Sequence, residues 1–227
     1  MRASSLHFFP LALPFVLAAV VLIVLAFILI EIGALEYAYE KMGVSRQYVF
    51  SLLVLSLLGS YVNIPVAELP AERVLSNQEI NYFGMRYAIP MVQDWPRTVI
   101  AVNLGGAVIP VLLSLYLVVK NGIYTQSVAG VLVVAAITHW LARPVPGVGI
   151  ALPTLIPPLV AAAAALMLSR KRAPCVAYVA GSLGTLVGAD LLNLDKIQGL
   201  GAPIASIGGA GTFDGIFLTG ILAVLLA

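Results

Sequence analysis

Charge is what this 227-residue chain has least of: 12 Lys and Arg and 10 Asp and Glu, together 10% of its residues. A soluble domain carries about 25% charged and about 45–50% apolar residues. Here 61% are hydrophobic and the mean hydropathy is +1.06. That composition excludes a water-soluble enzyme, a nucleic-acid binder and a disordered chain. The single cysteine, Cys175, excludes an intrachain disulfide scaffold. A net charge of +2 is too small to imply an anionic partner. Gly-x-Ser-x-Gly, His-Glu-x-x-His and a phosphate loop are also missing. Serine, zinc and nucleotide chemistry therefore have no motif, and no metal or cofactor is expected. What remains is a protein integral to the cell membrane, with the lipid bilayer as its first partner.

The few charges divide the chain. Residues 3–30, 47–67, 98–119, 121–142, 144–169 and 173–189 contain none. About 20 apolar residues cross a bilayer as a helix. The expected architecture is an all-α, polytopic transmembrane bundle forming a single domain over residues 1–227. It has about seven spans: 9–32, 46–63, 98–119, 123–142, 153–169, 174–192 and 205–227. The first apolar run is too long for the core of a cleaved signal peptide. The stretch 63–97 differs, holding seven charges from Glu68 to Arg97 together with Pro65, Pro70, Pro90 and Pro96. It reads as the one polar extramembrane loop, a connector or a lid, with a short hairpin around Gly84.

Alternating spans sort the loops between two faces. One face receives Lys41, Arg46, Lys120 and the cluster Arg170-Lys171-Arg172. The other receives the long loop and Arg143. The compact basic cluster, taken as cytoplasmic, places the N-terminus outside. The unusual polar residues collect on the loop face whichever way the chain points. Asn63 closes the second span and Asn103 opens the third. His139 and Arg143 end the fourth, Asp190 ends the sixth, and Asp214 opens the last helical piece.

An ionised Asp at the centre of a membrane helix costs about 2.5–3.5 kcal/mol on insertion scales, so such residues are paired, neutral or functional. Asp190 ends a helix rich in small residues. Asp214 follows Gly208, Gly209, Gly211 and Thr212. Those glycines weaken a continuous helix. The last span is therefore expected to break near 207–211, with a half-helix from about Thr212. The helix dipole gives the two carboxylates opposite surroundings. If they lie close they would share a proton, which suits water activation or proton-coupled transport. A plainer reading stands beside it: Asp190 pairs with Arg143 or Lys196, and Asp214 caps a helix. Likewise His139 and Arg143 with Trp140 read as an interfacial belt as readily as a site. Asn63 and Asn103 read as helix glue as readily as ligands.

The segments Asn63-Ile-Pro, Asn103-Leu-Gly-Gly-Ala-Val-Ile-Pro, Gly188-Ala-Asp and Gly208-Gly-Ala-Gly-Thr-Phe-Asp-Gly resemble a family of uncharacterised prokaryotic membrane proteins. That family is domain-of-unknown-function family sixteen-fourteen, and the resemblance runs from about residue 55 onward; it implies no activity. A looser similarity is to intramembrane aspartyl proteases of the presenilin and signal-peptide-peptidase type. Gly188-Ala-Asp190 resembles their Gly-x-Gly-Asp motif and Phe213-Asp214 their Tyr-Asp motif. The motif order is reversed, Ala189 and Phe213 depart from the pattern, and no Pro-Ala-Leu follows.

Three function classes follow. The leading expectation is hydrolysis of a membrane-embedded peptide, with Asp190 as the protonated acid and Asp214 as the base. Asn63, Asn103 and Arg143 would orient substrate or stabilise charge. The second is a proton- or ion-coupled carrier of a small solute using the same aspartates. The third is a non-catalytic membrane scaffold.

Overall fold

The computed structural model describes residues 20–22, 24, 33–70, 72–82, 85–95, 97–145, 149–197, 204–209 and 215–227. Besides the helical residues 20–22 and 24, seven helices are found among the described residues: α1 (Ala34–Lys41), α2 (Arg46–Gly59), α3 (Ile109–Asn121), α4 (Tyr124–Leu141), α5 (Ile156–Leu168), α6 (Ala173–Thr185) and α7 (Gly215–Leu226). Helix α3 is preceded by a π turn, Leu104–Val108. Helix α6 runs on through a second π turn, Leu186–Asp190, into a 3-10 turn, Leu191–Lys196. Proline stands in the first turn of α5 and α6, where its missing N–H has no intrahelical acceptor to lose.

Three continuous helical stretches are long and apolar enough to cross a membrane: Leu104–Asn121, Tyr124–Leu141 and Ala173–Lys196. The apolar helices α2, α5 and α7 are shorter; the 12 residues of α7 rise about 18 Å. The expected count of seven spans is not confirmed: three helices of spanning length stand among the described residues. Most of the expected first span lies outside them.

Helix α6 is the centre of the bundle. Val176, Tyr178, Val179 and Ala180 on it are buried, and it packs against α4, α5 and α7. The contacts are made through small residues, with Gly130 against Ala180 and Gly184 against Val134. Small residues let membrane helices approach closely. Outward-facing Leu112, Leu115, Tyr116 and Val119 form an exposed apolar stripe along α3, the surface lipid would cover.

The all-α expectation is corrected by seven strands among the described residues. Strands β1 (Asn63–Leu69), β4 (Thr98–Asn103) and β7 (Ile204–Ile207) form one sheet in the order β1-β4-β7, with β1 antiparallel and β7 parallel to β4. Strands β2 (Glu72–Tyr82) and β3 (Met85–Trp95) form an antiparallel ribbon; β5 (Arg143–Val145) and β6 (Gly149–Ala151) form a small pair. The expected loop 63–97 is thus mostly strand, and the hairpin is 11 residue pairs long rather than a short turn. Pro65 and Pro90 do not prevent this, because an edge strand or two-stranded ribbon has N–H positions that need no partner. The run 98–119 was expected to be one helix, but its β-branched start, Thr98-Val-Ile-Ala-Val, is strand.

Hydrogen bonds mark the two ends of the bundle. At one end Lys41 Nζ reaches the Val224 carbonyl, Lys120 Nζ the Gly43 carbonyl, and Cys175 Sγ the Met42 carbonyl. The three-stranded sheet stands at the other, where α2 and α4 finish and α3 begins.

Candidate functional site

The site is built where β4 turns into helix. Asn63 and Asn103 face each other as the last pair of β1 and β4. Asn103 is almost completely buried. Its Nδ2 donates to the Ser60 carbonyl at 2.7 Å and to Asn63 Oδ1 at 3.1 Å, and its Oδ1 accepts from the Gly106 N–H at 2.8 Å. The last bond caps the π turn, satisfying a donor left open at a helix start. Ser56 Oγ donates to the Gly105 carbonyl at 3.0 Å, tying α2 to the same turn.

Strand β7 joins from 100 residues further along the chain. Ser206 Oγ donates to Asn63 Oδ1 at 2.7 Å, so one amide oxygen holds β1, β4 and β7 together. The chain then turns through Gly208 and Gly209, with φ of 93° and 84°, a conformation open to glycine. The turn lies directly on the π turn: a Cβ on Gly106 would overlap the Gly208 carbonyl.

The Gly208 N–H donates to Asp190 Oδ2 at 2.7 Å. Asp190 is half-buried and ends the second π turn. Below it, Asn193 is fully buried and its Nδ2 donates to the Gly188 and Ala189 carbonyls, both at 2.9 Å; Lys196 Nζ donates to Asn193 Oδ1 at 2.7 Å. Helix α4 braces this turn. Thr138 Oγ1 donates to the Val134 carbonyl at 2.8 Å and lies 3.3 Å from the Gly184 carbonyl, and Gly188 packs against Ala135 and Thr138.

The structure thus brings Asn63, Asn103, Asp190, Gly208 and Gly209 into one junction at the sheet end. Arg143 is exposed in β5, paired in register with Ala151. His139 is half-buried at the end of α4, and its Nδ1 is buried with no hydrogen-bond partner among the described residues. Gly211, Thr212 and Asp214 lie outside the described residues. The expected break in the last span is present as β7 and the Gly208-Gly209 turn. Helix α7 is described from Gly215, three residues beyond the expected start.

Ser60, Ser206, Gly106 and Asn193 complete the junction and were not singled out from sequence. Serine and glycine are common inside membrane segments, so only the Ser206-Ile-Gly-Gly sequence hinted at a turn. Among the described residues, no group of three His, Cys, Asp or Glu is placed to hold a metal.

The family model described as "Protein of unknown function (DUF1614)" matches residues 57–226. The chain belongs to this family. The matched region contains the whole junction, from Ser60 to Gly209. No curated protein and no solved structure matches the chain. The similarity to presenilin-type proteases gains no support from the family match.

Proposed function

We propose that this member of the DUF1614 family is a multi-pass protein of the cell membrane that hydrolyses a peptide bond at Asp190, with Asp214 as the second carboxyl. The supporting observation is the 2.7 Å contact between Asp190 and the Gly208 N–H, at the end of a strand that is an edge of its sheet among the described residues. An edge strand offers unpaired backbone groups to an extended peptide. A peptide added along β7 would run past the Asp190 carboxyl. Asp214, six residues beyond Gly208, would take a proton from water as its oxygen attacks the scissile carbonyl carbon. Asp190 would give its proton to the carbonyl oxygen. Collapse of the tetrahedral adduct would then return a hydroxyl proton to Asp190 and release acid and amine, with the amine protonated by Asp214.

A carrier of a small solute is the second reading, favoured by the departure from α-helix beside the aspartate, as π and 3-10 turns at 186–196 and as strand and turn at 204–209. Broken helices supply ion and substrate sites in transporters. The tight satisfaction of Asn103 and Asn193 fits a third, scaffold reading. The basic cluster at 170–172 orients the sheet end, and the N-terminus, outside.

The test compares the full chain with Asp190→Asn and Asp214→Asn in reconstituted vesicles, assayed for cleavage of membrane-inserted peptides and for uptake driven by a pH gradient. Loss of cleavage in both variants supports hydrolysis. Loss of uptake alone transfers the site to the carrier reading, and intact behaviour in both assays leaves the scaffold.

A further inference from the structure

We propose that a row of buried hydroxyls along α6 is a proton path through the bundle, connecting its basic end with Asp190. The row is Tyr178, Ser182 and Thr185. They are spaced at four and then three residues, which is one face of an α-helix. All three are buried, and they climb about 10 Å toward the π turn that ends in Asp190. Helix α7 covers the lower part of the row: a Cβ on Gly220 would overlap Ser182 Oγ and press on the Tyr178 ring. Below it, Tyr39 of α1 lies within electrostatic reach of Tyr178. Tyr39 and Tyr178 are the largest fully buried side chains among the described residues. Tyr39 stands two residues before Lys41, whose Nζ reaches the Val224 carbonyl at the basic end.

What these hydroxyls lack points to a ligand. Thr185 Oγ1 is buried with no hydrogen-bond partner among the described residues, and so is Ser114 Oγ, on the buried face of α3 that packs against α6. Ser182 Oγ faces the Tyr178 phenol without closing a hydrogen bond. Elsewhere in the bundle buried hydroxyls fold back on a carbonyl four residues earlier, Ser60 on Ser56 and Thr138 on Val134. A buried hydroxyl left open costs about 1–3 kcal/mol, so such groups are bonded to protein or to ordered water. Single waters between Tyr178, Ser182 and Thr185 supply the missing partners. A hydroxyl both donates and accepts. It takes a proton on its oxygen and releases its own to the next water, so a charge moves along the row while each group ends as it began. The last proton goes to the Asp190 carboxylate, half-buried at the end of the π turn. Lines of polar groups inside membrane helices form proton relays in this way. The path holds whether Asp190 cuts a peptide or loads a solute.

The test places the full chain in vesicles enclosing a pH-sensitive dye, with neither peptide nor solute present. A potassium gradient with valinomycin drives protons inward. The vesicles should acidify faster than protein-free ones. Ser182→Ala and Thr185→Val should slow this severalfold, and Thr185→Ser should retain it. Ser127→Ala should leave it unchanged, because Ser127 shares a face of α4 with Gly130, which meets Val176 and Ala180 on the opposite side of α6. Acidification no faster than in protein-free vesicles, or equal in all variants, overturns the proposal. The melting midpoint in detergent separates a wet row from a dry one. Valine cannot bond a water, so Thr185→Val should lower the midpoint. A rise or no change means that the hydroxyl was dry, and overturns the path. Proton flux is read without substrate, so failure of the path and failure of hydrolysis or uptake are told apart.

Discussion

Asn103 and Asp190 are both polar residues at the sheet end, yet their bonding differs. Asn103 uses donor and acceptor together, so neither isostere nor truncation can replace it. Asn103→Ala leaves the Ser60 carbonyl and the Gly106 N–H without their partner, and an unsatisfied buried group costs about 1–3 kcal/mol. Asn103→Asp keeps the acceptor for Gly106 but turns an oxygen toward the Ser60 carbonyl and Asn63 Oδ1. It should destabilise at least as much as Asn103→Ala, read as the midpoint of thermal unfolding in detergent. Asp190 accepts a bond from Gly208 that an amide oxygen can also accept. Asp190→Asn should therefore keep the melting midpoint, whereas Asp190→Ala should lower it, with about 1–3 kcal/mol lost for the orphaned N–H. Equal melting of the two variants would mean that the Asp190–Gly208 bond carries no stability.

At the scale of elements, the junction depends on one strand turn lying directly on one helix start. Gly106→Ala puts a methyl group into the Gly208 carbonyl, an overpacking of the kind that costs about 1–3 kcal/mol. Gly215→Ala has open space around it at the start of α7, where alanine should add up to about 1 kcal/mol of helix propensity. The two substitutions should shift the melting midpoint in opposite directions, and a shift of the same sign would contradict the packing described.

This contrast also shows which elements were legible in the sequence. Charge gaps located α4 almost to the residue, because its ends coincide with Gly122 and Arg143. They failed for β4, since an apolar strand feeding directly into an apolar helix leaves no charge, and short apolar runs have no diagnostic period. They failed for β7 because four residues are too few to announce a strand. Alternation placed Asn63, Asn103, Asp190 and Asp214 on one face; Asn63 meets Asn103 and Asp190 meets Gly208 there, while Asp214 lies outside the described residues. It also placed Arg143 there, at the same end, without predicting its exposure in β5. The β2–β3 ribbon was hidden by Pro90 and the flanking Pro70 and Pro96, which argue against helix but not against a two-stranded pair.

For the molecule as a whole, the two ends of the bundle should be separated by a membrane. Glu68 and Arg97 form an exposed ion pair at 3.3 Å on the sheet, while Lys171 lies in the turn between α5 and α6. In a Cys175→Ala background, Glu68→Cys and Lys171→Cys should react with an impermeant maleimide from opposite sides of sealed vesicles. Reaction of both from one side would invalidate the arrangement of ends. Glu68→Gln itself should change stability by less than about 1 kcal/mol, as exposed pairs do.

The parallel pairing of β4 with β7 joins Val99 to Ile204, across nearly half of the chain and four intervening helices. Long-range parallel pairs form late, because the loop between them must close before they are rewarded. The contact between Gly208 and Asp190 is therefore expected to follow insertion and docking of α3 to α6. The bond between the Gly208 N–H and the Asp190 carboxyl is thus expected to form after those helices have docked, measurable as protection of the Gly208 amide appearing later than that of α6.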